Sequence, residues 1–281
     1  MFSSWITVAI LAGLGSNLGS FFARHILRDR DDPTAYAWFF ELMRLCIFGL
    51  SCIHGFHLVL DAPSLVALSG LGVAEFISVF FMMKMHAFSH LSVSTIILRT
   101  RLIWIPIIAY LMFEESLKLF EYAGIGVLFL GLCVATSPKK WVLDKGMMFA
   151  YITGFTSALV NIFLKLASPA ASTSVEMVFM ALSSVICFPV IMNSPRERIR
   201  NSVRTNLMSK LLSGILSAVS VYLLAVAVSI GPVSKVSAIY QGMMVVAIIA
   251  GIVFLNERQD VGRKLVGSTI TMVGVMLLTM R

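Results

Sequence analysis

Two arginines interrupt one of the most apolar stretches of the chain, the segment STIILRTRLIWIP at residues 94–106. Arg99 and Arg101 stand there among isoleucine, leucine and tryptophan. A guanidinium presents a planar fork of N–H donors that matches a carboxylate or phosphate group bidentately. The two residues are therefore candidates for binding an anionic group, with structural ion pairs as the alternative. Because they lie about 200° apart around a helix, we expect one to face a central cavity and the other a neighbouring carboxylate.

Three more charges lie inside apolar blocks, namely Glu41, Arg44 and Glu75. Glu41 and Arg44 are separated by three positions, so on a helix they share a face and can pair. Glu75 is the expected carboxylate partner of Arg99 or Arg101. Because burial disfavours the charged form of a carboxyl group, Glu75 and Glu41 are also candidates for proton coupling. A purely structural ion-pair network is the alternative.

The five charges sum to +1, which favours an anionic or zwitterionic ligand. Trp104, Tyr240 and Gln241 lie in apolar blocks and are candidates to line the same site, with plain packing as the alternative. The predicted ligand-binding residues are thus Arg44, Glu75, Arg99, Arg101, Trp104, Tyr240 and Gln241. Glu176 and Lys235 fall near the ends of apolar blocks and are interpreted as interfacial anchors.

The composition indicates a membrane protein. Of the 281 residues, 58% are hydrophobic and only 13% are charged, against ~25% charged in an average soluble domain. Apolar runs of about 20 residues are typical of membrane-spanning helices, whereas barrel strands alternate over about ten. The net charge of +8 is spread over short connections, so it does not indicate a nucleic-acid partner. The predicted fold class is an all-α integral membrane protein.

Ten apolar blocks are long enough to cross a membrane. Their approximate limits are 3–23, 34–56, 63–83, 91–113, 118–137, 146–166, 172–192, 207–229, 233–255 and 263–280. Counting along the second, third and fourth blocks places the five buried charges in one layer, ~12–15 Å from one membrane face. A charge inside a bilayer costs roughly 2.5–3.5 kcal/mol, so this layer is expected to surround a water-filled cavity.

The chain also carries an internal duplication. A shift of 143 positions superimposes Glu114 on Glu257, Gly124 on Gly267, and Gly131 on Gly274. A shift of 141 superimposes Gly13 on Gly154, Phe22 on Phe163, and Arg24 on Lys165. Two repeats of five spans follow, residues 1–138 and 139–281. Because five is odd, the second repeat enters the membrane inverted, an arrangement typical of alternating-access transporters.

Two segments resemble the end of the EamA domain, FEESLKLFEYAGIGVLFLGLCVA at 113–135 and LNERQDVGRKLVGSTITMVGVMLL at 255–278. Each has a span that closes on a glutamate, followed by a span with two glycines seven positions apart. The run at residues 231–257 also resembles this domain. So does the presence of an arginine, Arg44, inside the second span. The resemblance covers the chain as two tandem copies and implies the drug/metabolite transporter superfamily, hence a carrier of small polar or amphipathic metabolites. Glu75, Arg99 and Arg101 depart from the family pattern.

Two other functions are compatible with the same sequence features. A flippase for a lipid-linked substrate in the same fold, or a non-transporting scaffold, remains an alternative. The sequence has neither a GK[ST] phosphate loop nor a C-x-x-C pair, so it predicts no cofactor and no metal site. An intramembrane enzyme is a further alternative, but the sequence has no His/Asp/Glu cluster and no Ser–His spacing that would predict enzyme activity. The expected partners are a small-molecule substrate and the lipid bilayer, with the protein a monomer or a homodimer.

The charge distribution and the family resemblance predict opposite orientations in the plasma (inner) membrane. We call the side that carries residues 24–33 and 193–206 the basic face, because fifteen lysines and arginines lie near span ends there, against four on the opposite face. Positive residues favour the cytoplasm, which predicts that both termini are outside. The family resemblance implies that both termini are cytoplasmic.

Overall fold

The computed structural model describes residues 4–28, 32–88, 96–136, 145–246, 248–249 and 260–280. Within these ranges the chain is helical, apart from connections and one isolated β-bridge between Leu58 and Ala171. The helices are α1 Ser4–Arg28, α2 Pro33–Ser51, α3 Ala62–Phe88, α4 Arg101–Phe113, α5 Leu119–Thr136, α6 Lys145–Ala167, α7 Thr173–Ile191, α8 Pro195–Arg204, α9 Leu207–Ile230, α10 Val233–Gly242 and α11 Val261–Thr279. A short 3₁₀ turn, Cys52–His54, follows α2.

Seven of the described helices are long and apolar enough to cross a membrane. They are Ala62–Met85, Ile96–Phe113, Leu119–Thr136, Lys145–Ala167, Thr173–Ile191, Leu207–Ile230 and Val261–Thr279. These match the third to eighth and the tenth predicted blocks. The remaining three blocks correspond to α1, whose apolar part is Ser4–Gly19, to the charged helix α2, and to the region of α10, whose continuation lies partly outside the described residues.

Local sequence explains where several helices begin. Pro33 is the first residue of α2, and the Asp32 side chain accepts hydrogen bonds from the backbone amides of Thr34 and Ala35 at 3.0 and 3.2 Å. A capping carboxylate followed by proline is a strong helix start. The ten-residue helix α8 lies in a region that the sequence analysis treated only as a connection. It also begins with a proline, carries Glu197 in its first turn and ends at Arg204.

Each helix from the first part of the chain packs against one from the second part. The pairs are α1 with α9, α2 with α7, α3 with α6, α4 with α10, and α5 with α11. Hydrogen bonds show that α1 and α9 run antiparallel, because Ser220 donates to the Ala12 carbonyl at 2.7 Å and Ser213 to the Gly19 carbonyl at 3.1 Å. If the first and second parts of the chain are exchanged in order, α1 corresponds to α6 and α9 corresponds to α3. The α1–α9 pair then corresponds to the α3–α6 pair.

Glycines allow the closest of these contacts, between α5 and α11. A methyl group at Gly131 would lie 2.8 Å from the Gly267 carbonyl oxygen, and one at Gly274 would lie 2.7 Å from that of Gly124. Small residues let two helix backbones approach, and close van der Waals packing then stabilises helices within lipid. This glycine interface ties the last helices of the two parts together.

Candidate functional site

The fourth span is interrupted at the arginines. Residues 96–98 are helical, Arg99 and Thr100 form a turn, and α4 continues from Arg101. At this point the amides of Leu102 and Ile103 donate to the carbonyls of Arg99 and Thr100, both at 2.9 Å, three residues back instead of four. This change from four-residue to three-residue hydrogen bonds is a short 3₁₀ turn within the span, and such a turn in the middle of a helix often marks a functional hinge.

A second break lies in the ninth predicted span. Helix α10 ends at Gly242, a turn follows at Met243, and helical conformation resumes at residues 244–246. The amide of Val246 donates to the Met243 carbonyl at 3.1 Å, again three residues back. Met243 is 143 positions after Thr100, so the two breaks are related by the same shift as the duplicated glycines.

The two breaks contact each other. The Arg99 guanidinium donates through Nη1 to Gln241 Oε1 at 3.2 Å and through Nη2 to the Met244 sulfur. The Arg101 guanidinium carbon lies 5.9 Å from the centre of the Tyr240 ring, a cation–π distance. Four predicted residues are therefore brought together. We call Arg99, Arg101, Tyr240, Gln241 and Met244 the paired-break site.

The paired-break site contains hydrogen-bond donors that are not satisfied by the described residues. Nε of Arg101 and Nε2 of Gln241 are buried, and neither has a hydrogen-bond partner among the described residues. In the same part of the chain, no carboxylate lies within ion-pair distance of Arg101, whose side chain is half-buried. Buried polar groups are nearly always satisfied, so such atoms indicate a position for water or a ligand.

Trp104, the remaining aromatic candidate, has a packing role here. Its ring meets Phe155 of α6 edge to face, with the ring centres 5.3 Å apart. Its side chain is only partly buried and packs against the main apolar core. These contacts attach α4 to α6 one helical turn beyond Arg101.

The other predicted charges form a separate cluster. Nη1 of Arg44 donates to Glu41 Oε1 at 2.5 Å and to Glu75 Oε1 at 2.6 Å. The predicted pairing of Glu41 with Arg44 is confirmed. The prediction that Glu75 pairs with Arg99 or Arg101 is wrong, because Arg44 takes that carboxylate. We call Glu41, Arg44 and Glu75 the α2–α3 triad.

The arrangement of helices explains the wrong pairing. Helix α4 packs mainly against α6 and α10, whereas α3 packs against α6, α7 and α2. The five charges that were predicted to share one depth therefore fall into two clusters. One cluster has two guanidinium groups at the paired-break site, and the other has one guanidinium between two carboxylates.

Two residues that were interpreted as interfacial anchors have other environments. Glu176 is only 1% exposed, and its Oε1 has no hydrogen-bond partner in the described ranges. Lys235 instead forms an ion pair with Glu121 of α5. From the sequence, a carboxylate near the start of a helix is expected to lie at the surface. Glu176 is buried because α7 packs against α2 and α3.

Several polar contacts that the sequence analysis missed hold helix ends. Lys165 donates to the carbonyls of Val228, Ser229 and Gly231 at 2.9, 3.2 and 3.2 Å. The Glu115 carboxylate accepts from the amides of Val233 and Ser234 at 3.0 and 3.1 Å. The ammonium group therefore caps the end of α9, and the carboxylate caps the start of α10, in accord with the helix dipole.

An ion pair joins the two parts of the chain at the basic face. Arg198 of α8 donates to the Asp32 carboxylate through Nε at 2.5 Å and through Nη2 at 2.8 Å. Burial would raise the pKa of Asp32, but hydrogen bonds from Arg198, Ala35 and Thr34 outweigh it and hold the pKa below its usual range. The bidentate pair fixes α8 against the start of α2.

A second set of contacts joins the two parts at the opposite face. The Val59 amide donates to the Ala170 carbonyl at 2.8 Å, and the Ser172 amide donates to the His57 carbonyl at 2.9 Å. These bonds flank the isolated bridge between Leu58 and Ala171. Both ends of the molecule therefore carry polar contacts between the first and second parts of the chain.

Comparison with known proteins finds a family match in the second part of the chain. The model of the EamA-like transporter family matches residues 144–280. A search of curated proteins found no match. Among solved structures 28 chains match, and one of them, described only as a crystal structure of a protein, has a TM-score of 0.74 and 13% sequence identity. The alignment covers 99% of this chain and 96% of the matched chain. At this sequence identity the likeness shows the fold alone. Residues 144–280 thus belong to the EamA-like transporter family, whose members are membrane transporters of the drug/metabolite transporter type.

Proposed function

We propose that the protein carries small anionic or zwitterionic metabolites across the plasma (inner) membrane by alternating access. It does so as ten spans in two inverted five-helix repeats, residues 1–138 and 139–281. The substrate binds at the paired-break site between the repeats, with Arg101 as the group that contacts its anionic part. Because the sequence lacks a nucleotide-binding loop, a gradient or an exchange reaction supplies the energy.

Contacts in register with the duplication support the inverted repeats. A methyl group at Gly13 would meet the Tyr240 carbonyl of α10 and Met243 in the turn after it, and one at Gly154 would meet the Ile97 carbonyl and Thr100 of the fourth span. Gly13 and Gly154 correspond under the 141-residue shift. Their partners, 240 with 97 and 243 with 100, correspond under the 143-residue shift.

The helix breaks support the location of the binding site. In transporters with inverted repeats, interrupted helices at corresponding positions of the two halves commonly form the substrate site near mid-membrane. Here the two breaks occur at Thr100 and Met243 and are joined by Arg99 and Gln241. A substrate bound between them contacts both repeats, as a carrier that rocks one half against the other requires.

The surplus of positive charge supports the anionic preference and is the observation that carries the proposal. Arg101 is a half-buried guanidinium with an unsatisfied Nε and no carboxylate at ion-pair distance in the described part of the chain. Removing a charge from water is costly unless another group compensates it. A carboxylate or phosphate of the substrate would supply that compensation bidentately.

A binding screen tests this proposal. Purified protein is subjected to thermal unfolding in the presence of anionic, zwitterionic and cationic metabolites, as the unchanged chain and as Arg101→Ala and Arg101→Lys. We expect stabilisation by anions or zwitterions, loss of the effect with alanine, and partial retention with lysine. Arg263→Ala is the matched control, because Arg263 lies at the start of α11 in an exposed pair with Asp260. Stabilisation by cations alone, unchanged in Arg101→Ala, would contradict the proposal.

A further inference from the structure

The α2–α3 triad carries more negative than positive charge in a sealed position. Glu41 and Arg44 are 0% and 1% exposed, and Glu75 is 8% exposed. A single guanidinium donates to both carboxylates through the same nitrogen, Nη1. With both carboxyl groups ionised the triad has a net charge of −1, and an uncompensated charge away from water is strongly unfavourable.

Among the residues that the structure describes, the side chains in contact with Arg44 outside the triad do not offset this charge. The Arg44 guanidinium lies 5.5 and 5.9 Å from the ring centres of Phe40 and Phe48, and its Nη2 is 3.8 Å from the sulfur of Met180. Aromatic rings and a thioether can accept a guanidinium, but they cannot neutralise a carboxylate.

Four cations on α3 and on the helices that pack against α2 and α3 have other contacts. Lys210 of α9 donates to Ser202 and Thr205, and Arg198 of α8 pairs with Asp32. Lys165 of α6 caps the carbonyls at the end of α9. On α3 itself, Lys84 lies 4.0 Å from the centre of the Phe80 ring, more than two turns beyond Glu75. Glu176 is the one charged residue of α7. It lies one helical turn from Met180, and as a carboxylate it would add to the negative charge.

We propose that the α2–α3 triad is a proton-binding site, in which one proton is shared between the carboxyl groups of Glu41 and Glu75. The proton converts one carboxylate to a neutral carboxyl group and brings the charge of the triad to zero. Glu41 Oε2 is the atom that offers a position for it, since this oxygen is buried and accepts no hydrogen bond in the described part of the chain. Either carboxyl group can then remain ionised beside Arg44.

The position of the triad gives the proton a use in transport. This step rests on the transporter function proposed above. Arg44 and Glu41 belong to α2, which packs against α7 in the other half, and Arg44 touches Met180 there. A movement of one half against the other alters this contact and the access of water to the triad. Proton release on one face and uptake on the other would then couple a proton gradient to the carrier.

Infrared difference spectroscopy on protein reconstituted in lipid tests the proton site without any transported substrate. A protonated carboxyl group has a carbonyl stretch that an ionised carboxylate lacks. At neutral pH we expect the unchanged protein to show this band and to lose it reversibly as the pH is raised. Glu176 is also buried without a partner for its Oε1 and can contribute such a band, so the triad variants are compared with Glu176→Gln as the common background. In that background Glu41→Gln and Glu75→Gln should each remove the remaining band, because the one remaining carboxylate of the triad then pairs with Arg44 without a proton.

Glu176→Gln is the matched control, since Glu176 is a buried carboxyl group outside the triad. It should leave the triad band in place. The proposal is overturned if both triad variants keep the band, or if Glu176→Gln alone removes it. Glutamine matches the shape of a protonated glutamate, so both triad variants should remain folded, which is verified by their elution as single species. Because the readout needs no ligand, failure of the metabolite screen leaves its outcome unaffected.

Discussion

Gly131 of α5 lies against Gly267 of α11 so closely that a methyl group at Gly131 would come within 2.8 Å of the Gly267 carbonyl oxygen. The pair Gly124 and Gly274 repeats this contact about two helical turns away, with 3.1 Å from a methyl group at Gly124 to the Gly274 carbonyl oxygen. The 143-residue shift exchanges the two pairs, Gly124 with Gly267 and Gly131 with Gly274. An antiparallel helix pair that maps onto itself in this way supports a two-fold relationship between the repeats.

The glycine interface gives the first prediction. Gly131→Ala should destabilise the protein by about 1–3 kcal/mol, because the added methyl group meets backbone atoms that cannot move without separating the helices. The matched control is Gly126→Ala on the same helix, where a methyl group would have no atom within 4 Å. The measurement is the thermal unfolding midpoint in detergent. Equal midpoints for the two variants would contradict the close packing of α5 on α11.

The second prediction concerns the ion pair between Asp32 and Arg198. Asn caps a helix nearly as well as Asp, so Asp32→Asn removes the ion pair and keeps the cap of α2. We expect a loss of about 0.5–1 kcal/mol at pH 7, the upper range for exposed pairs. The control is Asp61→Asn, because Asp61 accepts from the Ser64 amide at 2.9 Å and caps α3 but has no ion pair among those the structure describes.

The pH dependence of that loss has a definite sign. The pKa of Asp32 is lower in the folded protein than its ordinary value of 3.8. A carboxyl group of this kind contributes its stability above the ordinary value and loses it as the pH falls through the folded one. The difference in unfolding midpoint between the unchanged protein and Asp32→Asn should therefore be constant near neutral pH and shrink below about pH 4. A difference that grows on acidification would rule out the assigned role of the carboxylate.

The apolar blocks predicted most of the helices because membrane spans are specified by length and hydrophobicity, which are local properties. The pairing of Glu41 with Arg44 was predictable for the same reason, since three positions along a helix fix a common face. The partner of Glu75 was not predictable in this way. Depth in the membrane follows from counting residues, but the identity of the neighbouring helix depends on tertiary packing.

The helix breaks at Thr100 and Met243 also escaped the sequence analysis. Thr100 has no glycine or proline beside it, whereas Met243 follows Gly242, and glycine is one of the residues that usually interrupt a helix. The signal common to both breaks was the duplication, which aligns position 100 with position 243 and places Arg99 and Gln241 just before these two positions. Helix α8 could have been predicted, because Pro195, Glu197 and Arg204 are ordinary signals for the start and end of a helix.

The third prediction settles the orientation of the protein in the membrane. The excess of lysine and arginine at the basic face favours a cytoplasmic location for that face, with both termini outside. A reporter enzyme that is active only outside the cytoplasm, fused after Arg281, should therefore be active. A second fusion within the α7–α9 connection at Asn201, an exposed residue of α8, should be inactive. The reverse pattern would show that the family orientation applies.

The fourth prediction tests whether the two halves must separate at the opposite face. Leu58 and Ala171 form a bridge whose flanking hydrogen bonds join residues 59 to 170 and 172 to 57. In such a non-hydrogen-bonded antiparallel pair the Cα atoms lie about 4.5 Å apart, which is close enough for a disulfide. Leu58→Cys with Ala171→Cys, in a chain whose four native cysteines are replaced by serine, should therefore cross-link on mild oxidation.

The cross-link should hold this face closed and stop transport of whichever metabolite stabilises the protein in the thermal screen. Reduction of the disulfide should restore transport, and each single cysteine variant should be insensitive to the oxidant. The comparison of oxidised and reduced protein within one preparation separates the effect of the cross-link from any loss of folding. Because alternating access requires each face to open in turn, full transport by the cross-linked protein would exclude a cycle in which these two connections part.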